Sequence, residues 1–266
     1  MRRTRIAVLV SSLLLAVASV LTGAGTATAA TGPYVALGDS YASGVGAGNY
    51  TSESGNCKRS TNAAPYLWAA SHAPSSFSFM ACSGAVTSDV LNNQLGPVNA
   101  STSLISIAIG GNDAGFADVM TTCVLSSDSG CIDRINTARA FVQNTLPGRL
   151  NNVYSTIRNR APSARVVVLG YPRFYQLGSS LCLGLSETKR SAINSAADYM
   201  NNTIGNVARS HGFTFGDVRG TFTGHELCSG SAWLHSVNWT NMGDSYHPTA
   251  AGQSGGYLPV LTNGLA

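Results

Sequence analysis

Residues 104–109 read LISIAI and residues 165–169 read RVVVL, and these two apolar, β-branched runs indicate the fold. Three further short apolar runs, bounded by glycine or polar residues, occur at 34–37, 77–81 and 213–215. Each of the five has the length and composition of a strand. As a set they are apolar without strict alternation, which is typical of a parallel sheet covered on both faces.

Helical patterns alternate with these runs. Apolar residues recur every three or four positions over residues 135–157, the spacing of an amphipathic helix, and Pro147–Gly148 should kink or divide it. A second stripe over residues 193–207 follows a candidate N-cap at Ser186 and stops at Gly212. Strands that alternate with helices predict an α/β fold with a central parallel five-stranded sheet.

The first 29 residues have the three parts of a secretory signal peptide. Arg2 to Arg5 form a basic start, residues 6–21 are apolar, and Ala27-Thr28-Ala29 is a cleavage site of the A-x-A type. The alternative is a membrane anchor, but this run of 16 residues contains three serines and is shorter than the roughly 20 residues of a span. The Arg2-Arg3 pair supports twin-arginine export only weakly. We expect cleavage, secretion and no transmembrane span in the mature chain.

Signal removal leaves a nearly neutral chain, which we read as a single domain over residues 30–266. It removes three of the 16 basic residues and leaves 13 against 12 acidic ones, a net charge of +1. The mature chain therefore lacks the excess of positive charge that is typical of nucleic-acid-binding proteins.

Six cysteines in an exported chain predict three disulfides, for which fifteen pairings exist. Cys123 and Cys131 bracket a short loop of serine, aspartate and glycine, which favours their pairing. Joining Cys57 to Cys82 and Cys182 to Cys228 would make the bridges sequential. The alternative, a zinc site, lacks any Cys-x-x-Cys or clustered Cys/His spacing, so no metal is predicted.

Three strand candidates are followed directly by residues that suit acyl transfer. Ser40 follows the first, inside the glycine-rich turn Gly38–Gly44, where an exposed hydroxyl would be a nucleophile. Gly84 follows the second and Asn112 the third, so a backbone N–H and a side-chain amide would point at one spot near Ser40 and stabilise an oxyanion. The alternative is that the glycines only permit tight turns and that Asn112 caps a helix beginning near Ala114.

His247 is the candidate base for Ser40, because a serine is a weak nucleophile until a base takes its proton. The second ring nitrogen needs an acceptor that fixes the tautomer. The Asp244 carboxylate would serve as the acid of a triad, and the backbone carbonyl of Ser245 would serve equally. Both lie close enough in sequence, so the sequence leaves the two open.

These blocks, in this order, resemble the SGNH or GDSL hydrolase superfamily, and the resemblance spans residues 38–247. It implies a three-layer, flavodoxin-like α/β/α domain that hydrolyses esters through an acyl-enzyme without metal or organic cofactor. The matching positions are Gly38-Asp39-Ser40 for block I, Gly84 for block II, Gly111 and Asn112 for block III, and Asp244 to His247 for block V. By this resemblance Ser40 is the nucleophile, His247 is the base, and Ser40 N–H, Gly84 N–H and Asn112 donate to the oxyanion.

More narrowly, the export signal, the six cysteines and three motifs resemble secreted actinobacterial lipases and phospholipases A1. The motifs are ALGDSYASG at 36–44, IGGND at 109–113 and DSYHPT at 244–249. The resemblance implies cleavage of lipid acyl esters, sn-1 of glycerophospholipids above all. We expect a monomer whose ester substrate lies at a membrane or micelle surface. A short-chain or carbohydrate acetyl esterase is the alternative, and a non-catalytic secreted binding domain is a more distant one.

Four apolar residues between the last strand and His247 suit a hydrophobic acyl chain, although ordinary packing would also explain them. They are Phe222, Trp233, Leu234 and Trp239.

A rival motif, Gly252-Gln253-Ser254-Gly255-Gly256, matches the G-x-S-x-G nucleophile elbow. That elbow needs a histidine after it in the chain, and none follows His247. We therefore expect Ser254 to lie in a helix or loop.

Overall fold

The computed structural model describes residues 32–180 and 182–266, so the predicted signal peptide lies outside the described residues. Five parallel strands form one sheet with the order β2-β1-β3-β4-β5. The strands are β1 (Tyr34–Gly38), β2 (Phe77–Phe79), β3 (Leu104–Ala108), β4 (Arg165–Leu169) and β5 (Thr214–Gly216). All five predicted strands are confirmed.

Strand β2 is shorter than the sequence predicts. It pairs with β1 only as far as Phe79, because the next two N–H groups, of Met80 and Ala81, both donate to the Ala36 carbonyl. The chain leaves the sheet there and enters the loop that contains Gly84.

Helices cover both faces of the sheet. Helices α2 and α8 pack together on one face, whereas α6 and α7 pack together on the other, where α7 contacts β4 and β5. This three-layer arrangement with its 2-1-3-4-5 strand order is the flavodoxin-like fold that we predicted. The helices are α1 (Ser40–Ser43), α2 (Ala64–His72), α3 (Thr87–Asp89), α4 (Phe116–Leu125), α5 (Asp128–Asn144), α6 (Leu146–Arg160), α7 (Glu187–Ser210) and α8 (Leu258–Leu265). Shorter helical turns are the 3₁₀ segments Ser52–Cys57 and Met242–Asp244 and the π-helical segments Val90–Gln94 and Gly252–Tyr257.

The long apolar stripe forms two helices, as the sequence predicts. Helix α5 ends at Asn144 and α6 begins at Leu146, with Pro147 in its first turn, where the missing N–H costs no hydrogen bond. The Ser186 side chain accepts from the Lys189 N–H and caps α7, and the chain turns at Gly212 with a φ of +69°.

Close helix–sheet contact explains part of the core packing. All residues of β1 and β3 are buried, since helices lie on both faces. A Cβ on Gly264 would lie 2.8 Å from Val167 Cγ2. The missing side chain therefore lets α8 pack directly onto β4.

Three disulfides join the cysteines in sequential pairs: Cys57–Cys82, Cys123–Cys131 and Cys182–Cys228. The first brings the loop before α2 to the end of β2, where the Ser83 N–H donates to the Cys57 carbonyl at 3.0 Å. Within the described part of the chain, no helix is long and apolar enough to span a membrane.

The buried Gln94 side chain holds the end of β1. Its Oε1 accepts from the Gly38 N–H at 2.7 Å, and its Nε2 donates to the Gly38 carbonyl at 2.9 Å. The amide thus takes the place of a neighbouring strand beyond the end of β2.

We predict that Gln94→Ala lowers the free energy of unfolding by about 1–3 kcal/mol, since the buried Gly38 N–H loses its partner. Urea denaturation measures this loss. Gln143→Ala, at an exposed position of α5, is the control and should change stability by less than about 0.5 kcal/mol. Equal effects of the two substitutions would contradict the role of Gln94.

Candidate active site

Ser40 lies where β1 turns into α1. Gly38 has a φ of +124°, and a Cβ there would collide with the Ala108 carbonyl, so this turn requires glycine. Asp39 caps α1 by accepting from the Tyr41 N–H at 2.9 Å. Ser40 is the first residue of α1, and its N–H therefore has no partner inside the helix.

His247 lies against Ser40, although 207 residues separate them, with 2.7 Å between Nε2 and Oγ. Burial lowers the pKa of His247 to about 4, so the imidazole is neutral at neutral pH and can accept a proton. Tyr41 holds the histidine loop because its hydroxyl donates to the Tyr246 carbonyl at 2.7 Å.

The Ser245 carbonyl, not the Asp244 carboxylate, contacts the second ring nitrogen. It lies 3.1 Å from His247 Nδ1, whereas Asp244 Oδ2 accepts from the Asn241 side chain at 2.7 Å. Tyr246 has a φ of +65°, a left-handed turn that accompanies this arrangement. Of the two acceptors that the sequence leaves open, the Ser245 carbonyl is therefore the one in contact with the ring, and the Asp244 carboxylate is not.

Gly84 and Asn112 line one groove together with Ser40 and His247. The φ of +79° at Gly84 lies in the region that favours glycine. One N–H of the Asn112 amide donates to the Ala85 carbonyl at 3.0 Å, and a primary amide has a second. Helix α4 begins only at Phe116, so Asn112 does not cap it.

Tyr171, which directly follows β4 and Gly170, is a site residue that the sequence reasoning missed. Its buried hydroxyl donates to Asp39 Oδ2 at 2.5 Å and accepts from the Gly111 N–H at 3.2 Å. It thereby joins the turn that carries Ser40 to the turn that carries Asn112. Burial raises the pKa of Asp39 to about 7. The position of Tyr171 just beyond the end of β4 was the one sequence signal that pointed to a role in the site.

An apolar pocket of about 70 Å³ opens from Ser40 between α4, α5 and α7. The sequence reasoning missed these lining residues, which α-helical periodicity marks only as core. They include Ala114, Phe116, Val119, Met120, Ile135, Ala138, Val142, Phe174, Ile193, Ala197 and Met200.

The groove on the other side of Ser40 is wider, with a volume of about 310 Å³. Trp239 lines this groove, but the other three apolar residues proposed for an acyl chain do not. Phe222 and Leu234 are buried in the core, and Trp233 stacks on His225 at 3.6 Å.

The serine of the rival G-x-S-x-G motif does not lie in the Ser40–His247 site. Ser254 is exposed within the π-helical segment Gly252–Tyr257. Among residues 32–180 and 182–266, no group of three or more His, Cys, Asp and Glu side chains is arranged to hold a metal ion.

A parallel α/β/α sheet with a Ser–His pair at its carboxyl edge, beside an apolar pocket, defines an ester hydrolase. The chain belongs to the GDSL-like lipase/acylhydrolase family, whose model matches residues 36–254.

Similar proteins agree with this assignment. Lipase 1 of Streptomyces coelicolor is 67% identical over 270 residues, which cover 100% of both chains. The crystal structure of phospholipase A1 from Streptomyces albidoflavus has a TM-score of 0.86 and 66% identity, covering 88% of this chain and 99% of that one. The extracellular lipase of Streptomyces rimosus has a TM-score of 0.86 and 63% identity, covering 88% of this chain and 100% of that one.

We predict that Tyr171→Phe lowers kcat for ester hydrolysis by about tenfold, because a hydrogen bond worth about 1.5 kcal/mol no longer joins the two turns. KM should stay within about twofold, since the ring that lines the apolar pocket is kept and the lost hydroxyl faces Asp39 and Gly111. Steady-state kinetics on a soluble ester measure both. Tyr154→Phe is the matched control, because the Tyr154 hydroxyl is buried without a hydrogen-bond partner. A change confined to KM would argue against positioning by Tyr171.

We predict that Asp244→Asn leaves kcat within about threefold of the wild type, because a backbone carbonyl fixes the tautomer of His247. A true triad acid would cost on the order of 10⁴ in kcat. The same kinetic assay separates these outcomes, and a loss approaching 10⁴ would return Asp244 to the site.

Proposed function

We propose that this protein is a secreted, monomeric serine hydrolase that cleaves acyl esters of lipids. Its main activity is that of a phospholipase A1, which acts at sn-1 of glycerophospholipids, with broader lipase and esterase activity. The observation that carries the proposal is the Ser40–His247 pair, in which Ser40 lies between an apolar pocket and a larger groove. The similar Streptomyces proteins, which are named lipase and phospholipase A1, support it.

The first half of the reaction forms an acyl-enzyme. His247 Nε2 takes the proton of Ser40 as Oγ attacks the ester carbonyl carbon, while the Nδ1–H donates to the Ser245 carbonyl. The oxygen of the tetrahedral intermediate accepts from the N–H groups of Ser40 and Gly84 and from the Asn112 amide. The intermediate then expels the alcohol, which takes its proton from His247.

The second half releases the fatty acid. A water molecule gives a proton to His247 as it attacks the acyl carbon, and the new intermediate then expels Ser40 Oγ, which takes that proton back from His247. The ring is neutral again after each half-reaction, because it gives its proton first to the leaving alcohol and then to Ser40 Oγ.

The two openings beside Ser40 accommodate the two parts of the substrate. The acyl chain enters the apolar pocket between α4, α5 and α7, where its burial contributes about 0.8 kcal/mol per CH₂ group. The alcohol part, which in a phospholipid carries the second chain and the headgroup, occupies the wider groove.

The test is fatty-acid release from a phosphatidylcholine with palmitoyl at sn-1 and oleoyl at sn-2. Mature protein should release palmitate selectively, and Ser40→Ala should lose essentially all activity. Ser254→Ala, which changes the exposed serine of the G-x-S-x-G motif, is the matched control and should stay fully active.

Other results would redirect the proposal. Hydrolysis of soluble short-chain esters or acetylated carbohydrate alone would support the alternative esterase. Undiminished activity of Ser40→Ala would overturn the mechanism.

A further inference from the structure

The most exposed large apolar side chains of the described residues lie on one face. Four are more than half exposed: Leu125 at 72%, Leu183 at 94%, Trp239 at 71% and Met242 at 53%. Leu125, Trp239 and Met242 line the groove beside Ser40, and Leu183 lines the neighbouring depression together with Trp239. We refer to these four residues as the apolar rim.

Three separate chain segments build the apolar rim. Leu125 is the last residue of α4, Leu183 follows the Cys182–Cys228 disulfide, and Trp239 and Met242 precede His247. The groove and the depression share Val124, Val237 and Tyr246 as well as Trp239, so the rim is continuous. Contiguous exposed apolar surface of this kind marks an interaction site.

The charges around the apolar rim favour a lipid surface. None of the described residues that line the groove or the depression is Asp or Glu, and the one Lys or Arg is Lys189. Lys189 is buried, and its Nζ donates to the carbonyls of Cys123 and Ser126 at 2.9 and 2.6 Å. Asp128, whose Oδ1 lies 3.9 Å from Lys189 Nζ, and Asp244, between Met242 and Ser245, lie beside the groove and the depression but do not line them. The lining itself can therefore meet lipid without desolvation of a carboxylate.

We propose that the apolar rim docks onto the surface of a zwitterionic lipid aggregate, with the groove open towards the lipid. This inference rests on the proposed function, in which the substrate is a lipid ester. The rim is continuous with the groove that ends at Ser40, so a protein seated on it would cover the route to the serine. A lipid surface instead delivers the substrate there. Trp239 suits this position because an indole ring is stable at the boundary of lipid and water.

Binding to phosphatidylcholine vesicles tests the proposal, with Ser40→Ala as the background so that the lipid stays intact. Leu183→Asp should weaken partition onto the vesicles by about tenfold or more, because a charge replaces a leucine that contacts the lipid in the docked state. Leu177→Asp is the matched control. It introduces the same charge at an exposed leucine outside the apolar rim, in a depression that Arg173 and Asp198 also line, and it should bind like the parent.

Tryptophan fluorescence gives an independent readout. Trp68 is buried and Trp233 stacks on His225, which leaves Trp239 as the exposed indole among the described residues. Vesicles should shift the emission to shorter wavelength, and Trp239→Phe should abolish that shift.

Several outcomes would overturn the inference. These are vesicle binding by Leu183→Asp equal to that of Leu177→Asp, a shift that persists in Trp239→Phe, or a lipid-free dimer that Leu183→Asp dissociates. In otherwise wild-type protein, Leu183→Asp should hydrolyse a soluble ester normally and vesicle lipid at least about tenfold more slowly. Failure of the proposed function appears differently: the wild type hydrolyses neither ester, although the vesicle binding persists.

Discussion

The close approach of Gly38 to the Ala108 carbonyl is the constraint on which the site depends. With a φ of +124° and no Cβ, Gly38 lets β1 stay paired with β3 to its last residue and then turn sharply. Asp39 can then cap α1, which places Ser40 at the helix start beyond the sheet edge. Any other residue at position 38 would have to move β1 away from β3 and would carry the serine with it.

Buried polar contacts extend this constraint across the sheet edge. Asp39 accepts from Tyr171, and Tyr171 accepts from Gly111, so the turns after β1, β3 and β4 are joined. On the other side Tyr41 donates to the Tyr246 carbonyl and ties the histidine loop to α1. Because each of these groups is buried, a broken contact leaves an unsatisfied polar atom, which resists movement. The chain thus holds a Ser–His pair whose members are far apart in sequence.

Local sequence patterns predicted the strands and the four motif positions, because both depend on neighbouring residues. The β-branched run at 165–169 and the glycine-rich turn around Ser40 needed no distant information. The partner of His247 could not be chosen from the sequence, since Asp244 and the Ser245 carbonyl are both near in the chain and only the folded loop shows which one contacts the ring. The apolar pocket could not be predicted from the sequence either. Ile135 and Ile193 have the pattern of ordinary core residues, and they line a pocket only once α5 and α7 pack together. Tyr171 contacts residues 132 and 60 positions away, and no local pattern encodes such contacts.

The neutral partner of His247 is consistent with a site that works beneath a lipid surface. A carboxylate at Nδ1 would remain charged while the groove is closed to water, and burying that charge would cost free energy throughout the cycle. A backbone carbonyl fixes the same tautomer without a charge, so in the proposed mechanism charge separates only when Ser40 attacks. The Asp244 carboxylate bonds to Asn241 instead, and neither the groove nor the depression beside it is lined by a carboxylate. In the proposed docked state, the apolar rim and the carbonyl partner serve the same requirement, since neither the rim nor the contact to Nδ1 adds a charged group where lipid replaces water.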